Sequence, residues 1–131
     1  MSIFNLPRRA ADEDGSATIE AVLWLPFFML LFIMIADAAM IFANQSRIHR
    51  LVQDGNRNFV VGTLANCDAL ETWLEDVTQK LAPSATATCS IVSNIVTATV
   101  TLPSGEIDLS GATGVFGGLT VRVQAQHLLE S

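Results

Sequence analysis

The sequence predicts an α+β chain: a long N-terminal helix able to cross a membrane, a second amphipathic helix, and a small antiparallel sheet of about three strands. Three patterns predict it. Residues 21–43 are an almost unbroken apolar run. As a helix this run extends roughly 35 Å at ~1.5 Å per residue, against a hydrocarbon core of about 30 Å. Residues 68–82 place apolar side chains at helical spacing, and residues 86–102 and 119–127 alternate with period two. The 131 residues allow one membrane segment and one modest domain. The order helix, helix, hairpin, strand suggests an antiparallel sheet with helices packed on one face.

Residues 1–15 combine the basic pair Arg8-Arg9 with the acidic run Asp12-Glu13-Asp14. They have no periodicity and read as a disordered or processed leader. Residues 16–62 form the membrane helix with its extension. Ile48, Leu51, Val52, Gly55 and Phe59 share one face of that extension, and Gly62 is its stop. As one rod, residues 16–61 span roughly 70 Å. Pro26 removes one backbone hydrogen bond and marks a kink position that membrane helices tolerate. Glu20 and Asp37 are the ionisable groups of the run. Each costs up to about 3 kcal/mol at mid-bilayer and less near the ends, where both lie. Glu20 also meets the favourable end of the helix dipole.

Residues 63–131 read as the soluble domain. Asp68 and Glu71 resemble a capping box that opens the second helix. Leu70, Trp73, Leu74, Val77 and Leu81 form its buried stripe, with Trp73 a core side chain, and Pro83 ends it. Ser93-Asn94 is a two-residue hairpin loop between strands 86–92 and 95–102. Val96, Ala98, Val100 and Leu102 face one way and the intervening threonines the other. Pro103-Ser104-Gly105 starts a loop, and the glycine-rich run 111–118 is another, without the phosphate-loop motif. On the last strand Leu119, Val121, Val123 and Ala125 point inward. Residues 127–131 are expected to fray.

No catalytic constellation is present, so the chain reads as non-enzymatic, with no cofactor and no small-molecule substrate. Glu106 and Asp108 read as a solvated edge, and His49 and His127 as ordinary surface residues. The formal charge is −6. A net acidic surface argues against nucleic acid, whose phosphates demand a basic face, and against docking on anionic lipid. Cys67 and Cys89 read first as a disulfide on the oxidising side of a membrane, with two buried free thiols as the alternative. Closing such a loop stabilises a fold by about 3 kcal/mol in the chain-entropy model. A metal site is not expected: there is no C-x-x-C, and the histidines lie far from the cysteines in sequence.

Three readings compete at Gly15. The first is a plain signal anchor, never cleaved, in a bitopic scaffold subunit. The second is a secretory signal peptide, with Arg8-Arg9 as its basic start and Ala36-Asp37-Ala38 as its cleavage site, leaving a secreted or membrane-anchored periplasmic binding module. The third is a prepilin-type leader. It requires a glycine, a mature first residue and a glutamate at the fifth mature position, and Gly15, Ser16 and Glu20 satisfy it.

The run from Gly15 to Asp37 resembles the TadE-like pseudopilins of the tight-adherence (Tad, or Flp) pilus system. These share a charged leader ending in glycine, the spaced glutamate, a proline six residues later, and an acid toward the far end of the apolar run. Glu20, Pro26 and Asp37 fall on those positions, with Asp37 where the family usually has glutamate. The resemblance covers roughly residues 10–62. It implies a pilin-like fold and a structural minor pseudopilin that assembles or initiates a type IV pilus for adherence. A prepilin peptidase would cut between Gly15 and Ser16. The new ammonium of Ser16 would then pair with Glu20 of a neighbouring pilin or pseudopilin, setting the axial stagger between subunits. The chain would cross the bacterial inner membrane once, with the N-terminus cytoplasmic and residues 63–131 periplasmic. The positive-inside count opposes that orientation, because Arg47, Arg50 and Arg57 follow the apolar run. The cysteine pair and the leader outweigh it. Asp37 either reaches the far interface or pairs with a partner helix.

Overall fold

The computed structural model describes residues 12–109 and 118–129, the side chains at 12–14 and 16 excepted. Helix α1 is Asp12–Val60, helix α2 Cys67–Thr78, and strands β1, β2 and β3 are Thr86–Val92, Ile95–Pro103 and Thr120–Leu128. A short 3-10 turn, Ser104–Glu106, follows β2. The architecture is therefore the α+β arrangement the sequence predicts. The chain divides into a unit ending at Met34 and a unit from Ile35 onward.

The first unit is helical from Asp12, ahead of the expected start at residue 16. Its large apolar side chains are exposed, among them Leu23 at 74% and Ile19 at 73%. Residues 21–34 are all apolar, and by length and composition the helix is long and apolar enough to cross a membrane. The helix runs unbroken through Pro26. Trp24, Phe27 and Phe28 pack edge-on or tilted against one another, with ring centroids 5.8–6.5 Å apart.

The second unit begins with the remainder of α1. Ile48 and Val52 are fully buried, and Phe59 packs on the same core. Gly62 adopts φ 84°, a left-handed conformation that favours glycine, and ends the helix as expected. The N–H groups of Thr63 and Leu64 turn back to the Asn58 carbonyl at 2.9 and 3.3 Å.

The sheet order is β1-β2-β3, antiparallel throughout. Ser93 and Asn94, both at positive φ, form the expected two-residue hairpin turn between β1 and β2. Alternation on central β2 is complete: Val96, Ala98, Val100 and Leu102 are buried and the intervening threonines half-buried. Val100 pairs with Val123, and Ala98 with Ala125 on one side and Cys89 on the other. Leu70 and Leu74 of α2 join this core, and Trp73 packs against it, as the sequence suggests.

Four local expectations change. Asn66, not Asp68, caps α2: its side chain accepts the Ala69 N–H at 2.8 Å. Glu71 does not close a capping box; its Oε1 accepts the Cys89 N–H of β1 at 2.6 Å, while Glu75 Oε1 accepts the Ala87 N–H at 3.2 Å. The helix ends at Thr78, before residue 82, where the buried Thr78 hydroxyl bonds the Leu74 carbonyl and the chain turns with Ala82 N–H on Thr78 O. Leu119 is exposed rather than inward, because it precedes β3 and spends its carbonyl on the Ser104 N–H and hydroxyl.

At the chain end, His127 and Leu128 belong to β3, and Leu129 is tied to Asn94 by two hydrogen bonds of 2.8 and 2.7 Å. Pairing with the hairpin turn overrides the expected fraying there. The glycine-rich loop lies outside the described residues except for Gly118, as do residues 1–11 of the leader. Cys67 and Cys89 are joined as a disulfide, with Cα atoms 5.4 Å apart, stapling the start of α2 to β1.

Candidate functional site

The positions marked in the sequence lie along α1, in two different environments. Gly15 and Ser16 are within the first turns of the helix. No atom lies within 4 Å of where a Gly15 Cβ would stand, so the fold itself does not demand glycine there. Glu20 is exposed. With Ala17, Ala21, Trp24 and Phe28 it borders a shallow concavity of about 590 Å³, a single carboxylate beside aromatic and aliphatic surface. A carboxylate in such surroundings gains from a cationic partner once water is excluded.

Asp37 belongs to the second unit and is fully buried. It is not an unpartnered charge. A cavity of about 260 Å³ lies close by in sequence and space, lined by Ala38, Ile41 and Phe42 with Ser104 and Leu119 to Val121. The acid is thus built into the folded unit of its own chain, an arrangement that neither sequence expectation for Asp37 anticipates.

Farther along, Asn44 Nδ2 donates to the Ile107 carbonyl at 3.0 Å, and Asn56 Nδ2 to the Ala125 carbonyl at 2.9 Å. These buried amides fasten α1 to the 3-10 turn and to β3. Between α1 and β3 runs a polar groove. One end, about 750 Å³, is lined by His49, Gln53, Arg57, Gln124, Gln126 and His127 among others. The other shares His49, Gln53 and Gln124 and adds Arg50 and Arg122. His49 and Gln53 are hydrogen-bonded at 3.0 Å. Sequence reading placed both histidines on the surface but not beside one groove, since only the β3 register brings them together.

Glu106 is held below the usual carboxylate range by hydrogen bonds from the Ser84 side chain and backbone, the latter at 2.9 Å. Among the described residues, no group of three His, Cys, Asp or Glu side chains is placed to hold a metal ion.

No curated protein and no solved structure matches the chain. One family model does, and it spans Gly15, Ser16, Glu20, Pro26, Asp37 and the amphipathic part of α1 as far as Arg57. Over residues 15–57 the chain is similar to the family described as TadE-like protein.

Proposed function

We propose that the chain is a structural minor pseudopilin, cut between Gly15 and Ser16 by a prepilin peptidase and acting in assembly or initiation of a Tad pilus. The observation that carries this reading is where the TadE-like match begins: at Gly15, the residue before the cut. The exposed apolar face from Ile19 to Ile33 supports lateral bundling of such helices in the membrane. The exposed Glu20 is free to meet the new Ser16 ammonium of a neighbour and fix the stagger between subunits. The Cys67–Cys89 disulfide supports an oxidising, periplasmic location for the second unit. Asp37 is buried within that unit, so a cut after Ala38 would strip a core-facing residue from it.

N-terminal mass spectrometry of the membrane-extracted protein tests the reading, which expects a mature chain starting at Ser16. Gly15→Leu should block the cut without unfolding the chain, because its side chain meets open space. A Gly15→Leu chain that still matures at Ser16 would falsify the prepilin reading. Glu20→Ala should leave the cut intact and reduce recovery of the protein with pilus subunits. Undiminished pilus output from that variant removes the proposed role of Glu20.

A further inference from the structure

We propose that the groove between α1 and β3 receives the acidic face of α2 from a second copy of this chain. The charge distribution is the first argument. The chain is acidic overall, yet Arg50, Arg57 and Arg122 line this one groove together with both histidines of the sequence, and Asp54 is the acid among its lining residues. Helix α2 carries the opposite sign: its charged residues are Asp68, Glu71, Glu75 and Asp76, with no base between Cys67 and Thr78, and while Glu71 and Glu75 bond β1, Asp68 and Asp76 are exposed. The Lys80–Asp76 pair at 3.2 Å is about 70% exposed at both side chains, so it holds Asp76 only weakly.

The second argument is placement. A Cβ on Gly55 would stand 3.0–3.2 Å from Leu70, Trp73 and Leu74, which puts α2 against one flank of α1, where Leu51 and Asn58 border Trp73. The groove opens on the other flank, past Gln45, His49, Gln53 and Asn56. Gly55 and Asn56 are neighbours, so both surfaces lie at one level of the helix. Two copies with parallel α1 helices therefore bring the acidic stripe of one to the basic groove of the next with little axial offset. Such a contact is heterologous: each copy keeps one unused groove and one unused stripe, so it continues from copy to copy instead of closing as a twofold dimer. Complementary potentials of this kind set partner choice and register.

The test uses the full chain in bacterial membranes, with two copies carrying different tags. A photo-cross-linking residue at Gln53 of one copy should give an adduct within residues 67–80 of the other. Arg57→Glu with Arg122→Glu in the first copy should lower the yield about tenfold. Asp68→Lys with Asp76→Lys in the second should restore it, a result that misfolding cannot produce; Glu71 and Glu75 are left intact because they bond β1. Adducts confined to other proteins, to lipid or to other segments of the second copy overturn the proposal, as does a yield indifferent to charge reversal. The contact does not depend on cleavage: an uncut chain that still cross-links in this way separates it from the processing reading.

Discussion

Asn56 shows how one amide joins a helix to an edge strand. It is 1% exposed, its Nδ2 donates to Ala125 O, and its Oδ1 has no hydrogen-bond partner among the described residues. A buried acceptor left unpaired costs about 1–3 kcal/mol, so the donor half must earn the position. Asn56→Asp keeps the shape and removes that donor, setting a carboxylate against a carbonyl. Urea unfolding at pH 7 should show a loss of about 3 kcal/mol, the order expected for an uncompensated buried charge. Burial raises the folded-state pKa of the new carboxyl above its unfolded value of about 3.9. The deficit should therefore shrink as pH falls through that raised value, where the protonated acid can donate to Ala125 O. Glu106 has the opposite sign. Its pKa is lowered by folding, so the stability it contributes is present above the unfolded value and fades as pH drops through the folded one. Glu106→Gln should flatten that part of the acid limb in a pH series of melting curves. Asn56 was invisible in the sequence because it sits one position off the apolar stripe, where a polar residue reads as solvent-facing.

Helix α2 does more for the sheet than cover it. β1 is an edge strand, and its outward Ala87 and Cys89 N–H groups would be open to pairing with another strand. Glu75 and Glu71 occupy them. Glu71→Ala should speed hydrogen exchange at the Cys89 amide about tenfold, and Glu75→Ala should do so at Ala87, with amides of central β2 unchanged. Equal acceleration across all three strands would mean global destabilisation instead. The helix also needs Gly55 opposite it. Gly55→Ala gains about 1 kcal/mol of helix propensity, but its Cβ meets Leu70, Trp73 and Leu74 at once. Overpacking of that kind costs about 1–3 kcal/mol, so thermal unfolding should show a small net loss. At this scale the sequence was readable wherever a periodic pattern met a single buried face: β2, the hairpin turn and the α2 stripe from Leu70 to Leu74 lie where the spacing puts them, whereas Leu81 falls beyond the end of the helix at Thr78. The capping-box reading of Asp68 and Glu71 failed for a physical reason. Glu71 suits the third position of a helix start and the guarding of an edge strand equally, and only the position of β1 decides between them.

The two units divide the work of the chain, and the division is sharper than the apolar run suggests. Hydropathy made the span legible and left Asp37 at its far end ambiguous. Asp37 is buried with the second unit, so the folded unit begins before the apolar run ends. Among the described residues every core side chain, from Ile41 and Ile48 to Val123 and Ala125, lies after Met34. The exposed apolar residues from Ile19 to Ile33 add nothing to that core. A chain beginning at Ile35 should therefore fold without detergent and give a cooperative melt, provided the first turn it retains keeps Asp37 in place. A chain beginning at Ala39 deletes Asp37 and should be markedly less stable than one beginning at Ile35. In the longer of the two, reduction of Cys67–Cys89 isolates the contribution of the staple. The loop closed by that bond, with a sequence separation of 22, stabilises by about 3 kcal/mol in the chain-entropy model. For a core this small that is a large share of typical domain stability. Denaturant titration with and without reductant should separate by that amount. Coincident curves would mean that α2 and β1 are held by Glu71, Glu75 and the packing of Leu70 and Leu74 alone.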